Sequence, residues 1–224
     1  MKHASTLPTD EKETGRVEAF SDGLFAIAMT LLVLDLKVPA AADLAHRGDL
    51  VRTLRADWPH IFNFVTSFLT ILVMWVNHHR IFTHVRRIDP VLLTCNGLLL
   101  LGISAVPFST AVASVALNTP DAHAGAALYS AAFTLIAIFF NILWRYAVAG
   151  DRLIGPHPER KAVNAISERY RFGPMWYVGT FGLAWISPVA SLICCLALAG
   201  FFMLPYSHEQ TPTAMDDRLG RAED

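Results

Sequence analysis

Long apolar stretches separated by short polar ones dominate the chain. A helix that crosses a bilayer needs about 20 mostly apolar residues. Four stretches meet this with few or no charged residues: about Val17 to Val38, with Asp22 near its start and Asp35 and Lys37 near its end, then Trp58 to Asn77, Val91 to Val115 and Ala122 to Leu143. A fifth, from Phe172 to Tyr206, has no charged residue for 35 positions, too long for one helix. Ser187-Pro188 is its natural break, because proline disfavours helix in the residue before it and suits a helix start. The stretch divides into a fifth span from about Ser167 to Ile186, with Arg169 and Arg171 at one interface, and a sixth from Val189 to Leu204. The expected fold is all-α: an integral membrane protein with six transmembrane helices per subunit. Residues 1–15 and 207–224 read as polar tails around a six-span domain of residues 16–206.

Composition agrees with this pattern. Of 224 residues, 54% are hydrophobic and 17% are charged, and the mean hydropathy is +0.41. A soluble domain is nearer ~25% charged. Disorder is excluded for most of the chain, and too few charges remain to cover a large soluble fold. The net charge of −1 offers no basic face for nucleic acid. The cysteines, Cys95, Cys194 and Cys195, are odd in number and lie in apolar runs, which argues against a disulfide framework. Six spans put both termini on one side. That side, counting both tails and the loops after spans two and four, holds all of the 18 Lys and Arg except Lys37, Arg47, Arg52 and Arg55. Both termini are therefore expected in the cytoplasm, with the protein in the cell's inner (plasma) membrane. No cleavable signal peptide is expected, since the first apolar run is too long and follows a polar tail. No P-loop, G-x-S-x-G, H-E-x-x-H or paired-cysteine motif occurs, so no catalytic residue or cofactor is expected.

The first span carries unusual chemistry. Asp22 sits about one turn inside it, where a carboxylate is costly unless paired or wetted. Arg16 is too far along the chain for an i,i+4 pair. Asp22 either caps the helix or finds partners on another helix or in water. Gly23, Ala26 and Ala28 allow a neighbouring helix to come close. Ile27, Leu31 and Leu34 make one helical stripe, and such a stripe is usually packing or lipid-facing. His78, His79 and His84 form the one histidine cluster. With no acidic or cysteine ligand at a metal-like spacing, they read as interfacial polar residues, and no metal is expected. Asp35 is either an acidic ring at a pore mouth or a solvent-facing carboxylate near Lys37. Asn96, Ser104 and Asn141 suit bonds between helices, and Pro107 suits a kink. Residues Pro39 to Asp57 read as a short amphipathic segment. The basic loop Arg145 to Arg171 suits contact with anionic lipid.

The string Arg16-x-x-x-Phe20-Ser21-Asp22, continued by Gly-Leu-Phe-Ala-Ile-Ala-Met-Thr-Leu-Leu-Val-Leu-Asp-Leu-Lys-Val-Pro39, closely resembles the signature of the bacterial relatives of transmembrane protein 175, the endolysosomal potassium channel family. The six-span count and Trp75-x-Asn77-His78-His79 are also similar. The resemblance covers roughly residues 14 to 206. It implies a homotetramer that conducts potassium passively through a central pore lined by the first helices. No T-V-G-Y-G loop occurs. The resemblance implies instead a hydrophobic constriction built from rings of Ile27, Leu31 and Leu34, narrowest at Ile27, with Thr30 offering a hydroxyl beside them. It also implies a structural network joining Arg16, Phe20, Ser21 and Asp22 to Trp75, Asn77 and His78. The lipid bilayer and monovalent cations are the expected partners. The alternatives are a secondary transporter, which would need mid-membrane ionisable groups or broken helices, and a membrane scaffold without transport.

Overall fold

The computed structural model describes residues 9–36, 38, 50–154 and 160–204. The first helix, α1, runs Thr9–Leu31 and tightens into a 3-10 turn over Leu32–Asp35. A short helix α2 follows at Leu50–Ala56, then three long ones: α3 at Trp58–His84, α4 at Pro90–Ala116 and α5 at Ala122–Val148. The chain ends in α6 at Arg160–Arg171, α7 at Gly173–Ala184 and α8 at Pro188–Met203. A single antiparallel bridge, Val85 to Ile154, is the extended pairing among the described residues.

Among the described residues, four helical segments are long and apolar enough to cross a membrane: Glu13–Asp35, Trp58–His84, Pro90–Ala116 and Ala122–Asp151. These coincide with the first four expected spans; the first starts earlier and ends at Asp35 rather than near Val38, and the other three are longer than expected. The helix starting at Thr9 takes in residues assigned to a tail, of which Glu11, Lys12 and Glu13 favour helix while Thr14 and Gly15 do not. The C-terminal region departs from the expectation. In place of one helix from Ser167 to Ile186, α6 ends at Arg171 and α7 starts afresh at Gly173. Pro174 supplies the reason. It has no N–H to give the carbonyl four residues back, which is that of Tyr170. Asn141 on α5 takes that place, its amide donating to the Tyr170 oxygen at 2.5 Å. The break at Ser187-Pro188 falls where expected, with the Ser187 hydroxyl accepting from the Ala190 N–H at 3.3 Å as an N-cap. Pro107 lies inside α4, which continues through it to Ala116.

Helices α4 and α5 pack along most of their length, and α7 and α8 close against α5 and α3. Two glycines set the closest approaches of the α4–α5 pair. A Cβ on Gly125 would stand 2.5 Å from the Ala116 Cβ and 3.4 Å from the Ala113 backbone, and one on Gly102 would stand 2.8 Å from Ile136 Cγ1. Gly125→Ala should destabilise the bundle by about 1–3 kcal/mol, the usual cost of overpacking. Ala116→Gly in the same chain should recover much of that loss. Thermal melting in detergent measures both, and no recovery in the double variant would show that the helices do not meet there.

Polar contacts tie the loops at one end. Asp89 caps α4 by accepting from the Leu92 N–H at 2.7 Å and also accepts from the Tyr146 hydroxyl at 2.6 Å. The Tyr146 hydroxyl, then the Leu92 amide, hold the Asp89 carboxyl below the usual carboxylate range. Arg152 lies 3.4 Å from the same carboxylate. The Arg86 N–H donates to the Leu153 carbonyl at 2.8 Å, joining the α3–α4 loop to the segment after α5.

Candidate pore face and the network behind it

Opposite faces of α1 meet different surroundings. Ser21, Phe25, Ala28 and Leu32 recur on one face and are buried against α3 and α4. The other face is bare: Ile27 is 60% exposed, Leu31 44% and Leu34 73%. The expected stripe thus exists, with one change at its end. Leu34 lies on the 3-10 turn, where each residue rises about 2.0 Å and residues three apart eclipse. Leu34 therefore stands almost directly above Leu31, about 6 Å along the axis. Thr30 is exposed beside the stripe, its hydroxyl donating to the Ile27 carbonyl at 2.9 Å. Asp35 closes the turn, half-buried. Lys37, Pro39 and the basic residue Arg47 lie outside the described residues, as do residues 207–224.

Behind the stripe, α1 is fastened by polar side chains. The Trp75 indole N–H donates to Asp22 Oδ1 at 2.9 Å. One turn away, His79 Nδ1 meets Glu18 Oε1 at 2.7 Å. A deeper chain of bonds runs from His78 through Asn96 to Ser21: His78 Nε2 to Asn96 Oδ1 at 2.9 Å, and Asn96 Nδ2 to Ser21 Oγ at 3.0 Å. The Ser21 hydroxyl donates to the Val17 carbonyl at 2.8 Å. This fixes every direction. The Asn96 oxygen accepts, so His78 donates from Nε2 and is the Nε2–H tautomer. Its ring is fully buried, 4.4 Å from the Phe82 ring and 5.4 Å from the Phe25 ring.

The partners expected for the signature are thus partly present. Trp75 reaches Asp22, and His78 reaches Ser21, though through Asn96. Asn77 does not join them. It faces α8, with its amide 3.5 Å from the Phe202 carbonyl. Arg16 and Phe20 lie exposed on α1. Asp22 is well inside a helix that starts at Thr9, so it is not a cap. Glu18 was not anticipated, although the sequence carries a signal for it. Glu18 and Asp22 are four residues apart, as are Trp75 and His79, so the two helices present matched pairs at one-turn spacing. His84 bonds locally, to Thr83 and the Arg80 carbonyl. Among the described residues no three His, Cys, Asp or Glu side chains are grouped to hold a metal.

A second buried polar cluster links α3, α4 and α5. The Ser67 hydroxyl lies 2.7 Å from that of Thr110 and 3.0 Å from that of Tyr129, and Asn63 donates to Ser114 at 3.2 Å. Such bonds hold helices together where lipid gives no hydrophobic drive for association.

Residues 16–107 match the family described as the endosomal/lysosomal potassium channel TMEM175. The chain is 48% identical to "Potassium channel Cha6605_3372" of Chamaesiphon minutus over 87% of this chain and 96% of that protein. It is 41% identical to "Potassium channel B446_29190" of Streptomyces collinus, over 89% of this chain and 94% of that one. Its fold is similar to the crystal structure of a lysosomal potassium-selective channel TMEM175 homologue from Chamaesiphon minutus. The TM-score is 0.78 at 47% identity, covering 85% of this chain and 96% of the other. An all-helical multi-pass chain with this signature and this kinship belongs to the TMEM175 family.

Proposed function

We propose that this chain is a potassium-permeable cation channel, working as a homotetramer whose α1 helices surround a central pore. The observation that carries the reading is the exposed Ile27, Leu31 and Leu34 stripe on a helix whose other face is locked to α3 and α4. Such a wide apolar face beside a rigid anchor suits a constriction formed by several copies. The kinship with named potassium channels supports it. In this reading α7 and α8 supply the fifth and sixth spans, and both termini lie in the cytoplasm at the inner membrane. Residues 16–206 form the channel domain.

Permeation then follows from hydration. Four Ile27 side chains converging on an axis exclude most water, and such a constriction closes by dewetting. An ion passing it must shed part of its shell. Potassium holds water less tightly than sodium and crosses more readily. No oxygen cage matches the ion's size, so selectivity is moderate. Thr30 offers hydroxyl oxygens beside the constriction, and Asp35 offers an acidic ring at the outer mouth that concentrates cations. The network around Asp22 positions α1 and does not touch the ion. A transporter would use an ionisable group at mid-membrane; here Asp22 and Glu18 are taken up by Trp75 and His79.

The test is ion flux in liposomes holding the purified protein under potassium or sodium gradients. A passive, potassium-favouring flux is expected. Saturable coupled flux would favour the transporter, and no flux from a well-folded protein would favour the scaffold.

A further inference from the structure

The bare face of α1 does not stop at Ile27. Seven residues of α-helix make two turns less about 20°, with a rise of about 10 Å. Phe20 therefore lies on the same face as Ile27, two turns nearer the N-terminal end of the helix. It is 67% exposed, more than Ile27 itself. Gly23 stands between them, exposed, and a Cβ there would meet nothing within 4 Å. Arg16 and Glu13 continue the exposed line to the polar end of the helix.

The rotation of α1 is fixed at the level of Phe20. The opposite face is buried along the helix, at Thr14, Ser21, Phe25, Ala28 and Leu32. Glu18 lies about half a turn round from both Phe20 and Ile27, and it meets His79 of α3 at 2.7 Å. The bond from Trp75 to Asp22 at 2.9 Å holds the next turn the same way. A helix pinned to α3 by Glu18 and Asp22 turns Phe20 away from its own subunit.

We infer that Phe20 is a second pore-lining residue: its four copies form a ring on the N-terminal side of the Ile27 constriction, with a wider stretch at Gly23 between the two. The inference rests on the tetrameric pore proposed above, and it takes Phe20 out of the network that the signature implies. A helix that turns Ile27 to the axis turns Phe20 the same way. The phenyl ring differs from the isoleucine side chain in one respect: its face attracts a cation. A ring of Phe20 thus narrows the path without repelling potassium. Arg16 lies one turn further out, where its long side chain reaches water at the mouth. Glu13, three residues before it, offsets its charge.

The full-length variants Phe20→Cys and Gly23→Cys are placed in liposomes. Potassium flux is read before and after a trimethylammonium methanethiosulfonate reagent is added on both sides of the membrane. Wild type treated in parallel reads the contribution of Cys95, Cys194 and Cys195, and mass spectrometry reads whether each thiol has reacted. The thiolate is the reacting form, so reaction requires contact with water. Both variants are expected to react and to lose potassium flux about tenfold or more, since a fixed positive charge beside a narrow path repels a cation. Gly23→Cys reads the same face if Phe20→Cys does not assemble. Thiols that do not react, or that react without loss of flux, overturn the inference and leave Phe20 to lipid or to a contact between subunits. If Ile27→Asn still alters selectivity in that case, the pore reading stands without Phe20. If it does not, the pore reading fails as well.

Discussion

Ile27→Asn is expected to raise potassium flux about tenfold or more and to bring sodium flux close to that of potassium. A tenfold change needs only about 1.4 kcal/mol off the barrier. In the proposed tetramer one substitution places four amides where four apolar side chains stood. Each amide supplies a carbonyl oxygen and N–H groups to water or to the ion, so the constriction wets and the shell is no longer stripped. Ile27 is 60% exposed and lies outside the packed face, so the fold of the subunit should survive the change. Ile27→Leu keeps the site apolar and should leave the sodium-to-potassium ratio near that of wild type. Leu34→Asn should act in the same direction more weakly. Flux in liposomes with each cation gradient reads all three. Wild-type selectivity in Ile27→Asn would move the constriction off this stripe.

How far the sequence reached can be traced residue by residue. Four long helices were legible because apolar runs of this length have few other uses. The stripe at positions 27, 31 and 34 was legible as periodicity, but its tightening into a 3-10 turn was not. Leu-Val-Leu-Asp carries no distinctive signal for that geometry. The break after Arg171 was missed although Pro174 falls about two turns into a helix begun at Ser167, because a membrane helix can carry a proline in its interior, as α4 does at Pro107. What decides it is Asn141, 29 residues away from the Tyr170 it bonds, taking the carbonyl that Pro174 leaves free. The polar network shows the same division. Asp22 was marked by the cost of a carboxylate in a membrane helix, and Trp75 and His78 by the resemblance. Asn96 was read only as a residue suited to bonding between helices. Which two side chains it would join depends on how α1, α3 and α4 cross, and no local pattern encodes that crossing. Asn77 shows the reverse error: being next to His78 in the chain, it points about 100° away around the helix.

Asn96→Leu is expected to cost far more in folding than any change at the pore face, while leaving selectivity intact. Asn96 is buried and serves both neighbours at once, accepting from His78 and donating to Ser21. Removing it strands the His78 N–H, fully enclosed between two phenylalanine rings, and strips the Ser21 hydroxyl of its donor. An unsatisfied buried polar group costs roughly 1–3 kcal/mol, so the stranded His78 N–H, with a smaller loss at Ser21, which keeps its bond to Val17, costs on the order of 3 kcal/mol. That should lower the melting temperature by about 10 °C and reduce the yield of assembled protein on size-exclusion chromatography. The protein that does assemble should keep the wild-type ratio of potassium to sodium flux, because the network holds α1 without meeting the ion. The double variant Asn96→Leu/His78→Phe separates this account from simple overpacking. It removes donor and acceptor together and fills the aromatic slot with another ring. Ser21 keeps its own bond to Val17. Replacing both partners of a buried bond by apolar groups can be nearly neutral, so the double variant should melt well above Asn96→Leu alone. Had the loss come from the bulk of leucine at position 96, adding a ring at position 78 would deepen it. A double variant less stable than the single would therefore show that the bond between α3 and α4 is not what secures α1.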